Sequence, residues 1–179
     1  MNGKIHFLAV FLVNFHLIRQ VHSLVEFTNI KCEVADPDFC NIEYCYLKSV
    51  NRTYKYYSLK VNLFKIPITK VKVNAAIYKF ANGYKPFMYN VTVDACKFLK
   101  NQKSNPIFGY FYGYFKDHSN MNHTCPYDHD IVVDKLTTAF FNQRAKYLLP
   151  FPDGKYLIQM NVLVHDISRA VFKLYNVLS

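Results

Sequence analysis

Glycine is scarce in this chain, with five among 179 residues, and a phosphate-cradling loop is hard to build from so few. The sequence also lacks a Gly-x-Ser-x-Gly nucleophile turn and a His-Glu-x-x-His zinc motif. No catalytic residue, and hence no enzymatic activity, is expected. After the first 23 residues no apolar run is long enough to cross roughly 30 Å of hydrocarbon, so no transmembrane segment is expected. Basic residues outnumber acidic ones, 22 to 12, yet the lysines stand singly, as at Lys55, Lys60, Lys65, Lys70, Lys72 and Lys79, and no block of like charge appears. Nucleic acid is therefore not an expected partner. A scattered basic surface suits glycosaminoglycans, anionic headgroups or acidic proteins instead. There is no internal repeat, low-complexity tract or linker.

What is present begins with an export signal. Lys4 precedes an unbroken apolar run from Phe7 to Val13, which ends at Asn14 with Arg19 close behind. Val21 and Ser23 stand at the −3 and −1 positions of a cleavage site. Residues 1–23 are read as a signal peptide and 24–179 as a single domain, and the expected location is extracellular.

Cysteine usage agrees with that route. Cys32, Cys40, Cys45, Cys96 and Cys125 make two bridges and one remaining thiol in an oxidising compartment. Sequence alone does not fix the connectivity. The favoured pairing is Cys32–Cys45, joining the first two strands, and Cys96–Cys125, tying down the middle of the chain. Cys40 is close enough to compete with Cys32 or Cys45. Three sequons, at Asn51, Asn90 and Asn122, are candidate N-glycosylation sites.

Most of the chain after residue 24 has a period of two. Leu59, Val61 and Leu63 alternate with polar neighbours, as do Val71, Val73, Ala75 and Ile77, which is the pattern of half-buried strands. Phe87, Tyr89, Val91 and Val93 share one strand face, leaving Asn90 on the other. Tyr156, Ile158, Met160, Val162 and Val164 line a further strand. Residues 166–169 are read as a turn and 170–177 as the returning partner, with earlier strands at 24–34 and 42–50. Between residues 94 and 149 the texture changes. Asp94 is placed to cap a short helix. Pro106 opens another over 107–118, where Phe108, Phe111, Tyr112 and Phe115 recur at helical spacing, with Gly109 and Gly113 each weakening it by about 1 kcal/mol. A loop at 119–128, a strand at 131–133 and a short helix or irregular turn within 136–147 follow, and Pro150 to Gly154 breaks the chain before the last hairpin. Short strands with helices confined to the middle predict a mainly β, disulfide-stapled sandwich with a short helical insertion.

Two side-chain groups invite a chemical reading. His118, His123, Cys125, Asp128, His129 and Asp130 lie close together, but their spacing matches no standard zinc finger. A loop whose histidines and acids bond to the backbone is the better account, so neither metal nor cofactor is expected. The aromatics say more: 15 Tyr and 16 Phe with no Trp, many of them in 54–57 and 108–115. They serve equally as core packing or as the lining of an apolar pocket.

Several motifs stand in order: Asn29-Ile-Lys-Cys-Glu33, Tyr44-Cys-Tyr-Leu-Lys48, Tyr89-Asn-Val-Thr-Val-Asp-Ala-Cys-Lys-Phe-Leu99, Ser119-Asn-Met-Asn-His-Thr-Cys-Pro-Tyr-Asp-His-Asp130 and Leu149-Pro-Phe-Pro-Asp-Gly-Lys-Tyr156. Together they resemble a fly-expanded insect family of secreted proteins of unknown function. That family is in turn distantly similar to MD-2-related lipid-recognition (ML) domains and to CheB-type chemosensory proteins. The resemblance implies an immunoglobulin-like β-sandwich able to hold an apolar ligand between its sheets, with no catalytic residues. It carries the family cysteines onto Cys32, Cys45, Cys96 and Cys125 and leaves Cys40 as an extra. The cysteine that lipid-recognition domains commonly carry in the final strand has no counterpart in 170–179.

The expected function is a secreted, non-catalytic binding protein for a small hydrophobic ligand, such as a lipid or pheromone-like molecule, in a chemosensory or immune setting. Phe108, Phe111, Tyr112, Phe115, Tyr89 and Val91 are the candidate cavity residues. The alternative is a glycosylated interaction protein with a filled core, engaging a receptor, matrix or polyanion through its basic surface.

Overall fold

A computed structural model describes residues 25–51, 54–145 and 151–179. The expected signal peptide, residues Arg52 and Thr53 of the first sequon, and residues 146–150 lie outside the described residues.

Among the described residues the period-two segments form eight strands: β1 (Val25–Val34), β2 (Cys40–Ser49), β3 (Lys55–Leu63), β4 (Val71–Phe80), β5 (Tyr84–Asp94), β6 (Ile131–Thr137), β7 (Gly154–Val164) and β8 (Ile167–Leu178). Three α-helices among the described residues interrupt them: α1 (Ala95–Lys100), α2 (Pro106–Phe115) and α3 (Thr138–Ala145). The strands make two sheets, one ordered β1-β8-β7-β4-β5 and the other β2-β3-β6. Every paired neighbour is antiparallel. The chain is therefore mainly β, a two-sheet sandwich with a short helical insertion.

Because the first sheet has two more strands than the second, part of its inner face is covered by something other than a strand. The helices supply that cover. Asp94 caps α1 by accepting from the Lys97 amide. Asn105 caps α2 by accepting from the Phe108 amide at 2.9 Å, and Pro106 occupies the first turn, where a missing N–H costs nothing. The α-helix stops at Phe115, three residues before the expected 118, and a tighter 3₁₀ turn over Lys116–His118 continues the path. Phe98 from α1 and Phe108 and Tyr112 from α2 then pack with Val93 and against Val73 and Val91, on the inner face of β4 and β5.

Local departures from ideal strands have visible causes. The last hairpin turns at His165 and Asp166, with φ of 53° and 64°, and not over 166–169 as expected. Two consecutive positive φ values are the mark of the type I′ two-residue turn that suits twisted strands, so β8 already begins at Ile167. In β6, a bulge at Asp134 and Lys135 (φ 46°) faces the fully buried Ser58. The Ser58 hydroxyl accepts from the Lys135 amide at 3.0 Å and donates to Asp134 at 3.2 Å, so the irregular backbone is satisfied.

The two disulfides are Cys32–Cys45 and Cys96–Cys125. The first staples β1 to β2, and so one sheet to the other. The second ties α1 to the loop before β6. Cys40 competes with neither. Its thiol is 2% exposed and points at the Arg169 carbonyl, 3.8 Å away. Burial, and secondarily Asp36, push its pKa up, leaving a protonated, sequestered thiol.

Candidate ligand-binding cavity

Between the sheets lies a cavity of about 240 Å3 with an almost wholly apolar lining. Its floor is the inner face of the larger sheet: Val71, Val73, Ala75 and Ile77 from β4, Tyr89 and Val91 from β5, Ile158, Met160 and Val162 from β7, and Ala170, Phe172 and Leu174 from β8. Its roof is Tyr57, Leu59, Val61 and Leu63 of β3 with Ile131, Val133 and Leu136 of β6. The side wall is Phe98 and Leu99 of α1 and Phe108, Phe111, Tyr112, Tyr114 and Phe115 of α2, with Met121 and Tyr127 from the loop before β6.

The six residues singled out from the sequence, Phe108, Phe111, Tyr112, Phe115, Tyr89 and Val91, all face this space. The larger share of the lining was not singled out. It comes from the strand alternation in β3, β4, β7 and β8, which marks an inner face without saying whether that face is filled or open. Cys40 and Arg169 also reach the cavity, and only the position of Arg169 at the sheet's end, after a turn, reveals its part.

The hydroxyls of the lining residues Tyr57, Tyr112, Tyr114 and Tyr127 are turned to the protein, which keeps their part of the lining apolar. Tyr57 crosses the sandwich and donates to the carbonyls of Asn29 (3.2 Å) and Tyr175 (3.1 Å), beside the bulge where β1 shifts register against β8. Its ring stacks on Phe27 at 4.1 Å between centroids. Tyr112 donates to the Met121 carbonyl at 3.0 Å, and Tyr127 donates to the His123 carbonyl at 2.9 Å. Tyr110 and Tyr114 hydrogen-bond each other. Rings therefore face the cavity, while the polar tips hold its walls.

Burial also protects these phenols. It raises the pKa of Tyr112, with Asp117 adding to the effect, pushes Tyr127 up to about 12, and lifts Tyr57 further still. An unfolded tyrosine releases its proton near pH 10. Below that pH both states hold the proton and stability is flat. Above it the unfolded chain alone ionises, so stability falls as pH rises towards about 12. We expect urea midpoints to drop between about pH 9 and about pH 11, and Tyr127→Phe to show a shallower decline. Parallel declines in parent and variant would rule out a protected Tyr127.

The histidine loop is organised around backbone groups. His129 bonds through Nδ1 with the Asp130 carbonyl (2.8 Å) and His123 through Nδ1 with the Thr124 carbonyl (2.8 Å), while their Nε2 atoms meet at 2.8 Å. Asn120 donates to the Asp130 carbonyl and accepts from the Val132 amide. His118 packs edge-on against Phe140, and Cys125 is in a disulfide. Among the described residues no group of three His, Cys, Asp or Glu side chains is placed to hold a metal. The loop holds Met121 and Tyr127 against the cavity. Asn51, Asn90 and Asn122 are all exposed. No helix among the described residues is long and apolar enough to cross a membrane.

Residues 73–158 match the family described as protein of unknown function (DUF1091). The matched stretch runs from β4 into β7 and contains the whole helical wall of the cavity together with Cys96 and Cys125. No curated protein matches the chain.

Proposed function

We propose that this protein is a secreted, non-catalytic binding protein for a small hydrophobic molecule, held between its sheets. The observation that carries the reading is the cavity itself. An empty apolar void costs about 24 cal/mol per Å3, so one of about 240 Å3 left vacant costs ~6 kcal/mol, comparable to the whole stability of a small domain. A ligand that fills it removes that cost and adds about 0.8 kcal/mol per buried methylene.

Size narrows the class. An apolar cavity of about 150 Å3 holds benzene, so the space here suits on the order of ten carbons rather than a full-length cuticular hydrocarbon. Export and glycosylation belong to the same proposal, supported by the N-terminal apolar run, the two disulfides and the exposed sequon asparagines. The resemblance of the sequence motifs to lipid-recognition and chemosensory proteins, part of this proposal, points the same way.

Native mass spectrometry of the protein secreted from insect cells tests the reading. An apolar adduct released by denaturation is expected, or uptake from a panel of medium-chain lipids. A clean apo mass with no uptake would sink it and favour the filled-core interaction protein. Ala75→Leu supplies a second check. Placing three more carbons over β4 is expected to raise the melting temperature of the empty protein by several degrees and to weaken uptake at least tenfold. Unchanged uptake would place the ligand elsewhere.

A further inference from the structure

His123 and His129 meet across the loop before β6, their Nε2 atoms 2.8 Å apart. The contact ties the limb that follows α2, which carries Met121, to the limb that returns with Tyr127. The returning limb is fixed independently, by backbone hydrogen bonds between Tyr127 and Ile68 (2.9 and 2.7 Å) and by the Cys96–Cys125 bridge. The outgoing limb is pinned at Asn120. Beyond Met121 it meets the returning limb through the Tyr127 hydroxyl, which donates to the His123 carbonyl, and through this imidazole pair. Met121 and Tyr127 both line the cavity, so what holds the two limbs together holds part of the cavity wall.

Counting ring protons shows what the contact tolerates. With two, both imidazoles are neutral. His123 then donates from Nδ1 to the Thr124 carbonyl (2.8 Å), His129 donates from Nε2 to His123, and His129 Nδ1 accepts from the Asn120 amide (3.0 Å). With three, His129 donates from Nδ1 to the Asp130 carbonyl (2.8 Å), and one proton is still shared between the Nε2 atoms. With four, both Nε2 atoms carry hydrogen, and two like-charged donors face each other with no acceptor between them. Among the described residues no carboxylate pairs with either imidazole. The Asp130 carboxylate accepts from the Leu63 amide and faces Lys60 at 3.9 Å, which also holds Glu43. Asp128 is exposed, and Tyr127, which packs against both rings, stays protonated up to about pH 12. We infer that the pair is an acid-operated latch on the cavity wall: the fourth proton parts the rings, loosens the Met121 limb and speeds release of the ligand. The inference rests on the cavity reading above. The parted form binds more protons than the closed one, so the closed wall is favoured at neutral pH and loses ground as pH falls through the imidazole range.

The test measures release of a fluorescent apolar probe from the full secreted protein between about pH 7.5 and about pH 5.5, a range that spans ordinary imidazole titration and stays above that of carboxylates. Release is expected to be at least about fivefold faster at the lower pH. His129→Gln is expected to abolish the acceleration, because an amide can offer His123 either a donor or an acceptor. His118→Gln and His165→Gln, at the other two imidazoles after residue 24, are expected to keep it. Side-chain 15N shifts of the parent protein follow the ring protons directly. Two separated steps shared by His123 and His129 are expected, and independent single steps overturn the latch. Probe release that ignores pH, or that His129→Gln leaves equally sensitive to pH, also overturns it and leaves the cavity reading standing. Failure of the probe to bind at any pH overturns the cavity reading, and the stepwise titration still decides whether the rings part on acidification.

Discussion

A chain carrying Cys96→Ser and Cys125→Ser is expected to lose about 3.6 kcal/mol of unfolding free energy, the chain-entropy value for a loop of about 29 residues. It is also expected to release a bound apolar ligand faster. The bridge joins α1 to the loop before β6, and those two segments carry Phe98, Leu99, Met121 and Tyr127 of the cavity wall. Cutting it frees the wall as well as the unfolded chain. Cys32–Cys45 closes a shorter loop, worth roughly 2.9 kcal/mol by the same reasoning, and joins β1 to β2 away from α1 and α2. Urea titration gives the stability change, and displacement of a fluorescent apolar probe gives the release rate. Release as slow as in the parent protein, despite the expected stability loss, would mean that the bridge does not govern the wall.

Phe98→Ala is expected to cost about 3–5 kcal/mol in the ligand-free protein. Phe98 is 1% exposed and meets Phe108 edge-on at 4.9 Å and Tyr112 at 5.5 Å. Truncation removes the ring that both α2 aromatics lean on and opens the void further. The same change has a second consequence if the space is a binding site. A longer-chain probe fills the added volume, so the optimum chain length increases, and saturating long probe recovers part of the lost melting temperature. A stability loss that no chain length restores would mark Phe98 as core packing alone.

The sandwich was readable because apolar and polar residue types alternate along β4, β5 and β7, and the caps of α1 and α2 because Asp94, Asn105 and Pro106 carry their own local geometry. The aromatic wall was readable for a similar reason: 3.6-residue spacing puts Phe108, Phe111, Tyr112 and Phe115 on one side of a helix. Bulges left no such trace. Nothing local marks Lys135 for a positive φ, because Ser58, far away in sequence, stabilises it. The His165-Asp166 turn was misplaced because the spacing of Asp166 and Arg169 looks like a turn, whereas strand twist selects the two residues that take positive φ. Above all, the open space between the sheets depends on how five strands sit over three, a long-range property.

The pairing of β1 with β8 governs when the cavity comes into being. These two are the first and last of the described strands, and they register along nearly their full length, from Val25 opposite Leu178 to Val34 opposite Ala170. Sequence-local pairs such as β2 with β3 are able to zip early, but closing β1 onto β8 requires almost the whole chain and its loop-closure entropy. During synthesis β1 waits, stapled at most to β2 through Cys32–Cys45, until β8 has been made. The floor of the cavity is therefore completed last. A ligand held between the sheets, as proposed above, would then be acquired by the finished chain rather than the growing one, and the compartment where folding ends would set which molecules it first meets.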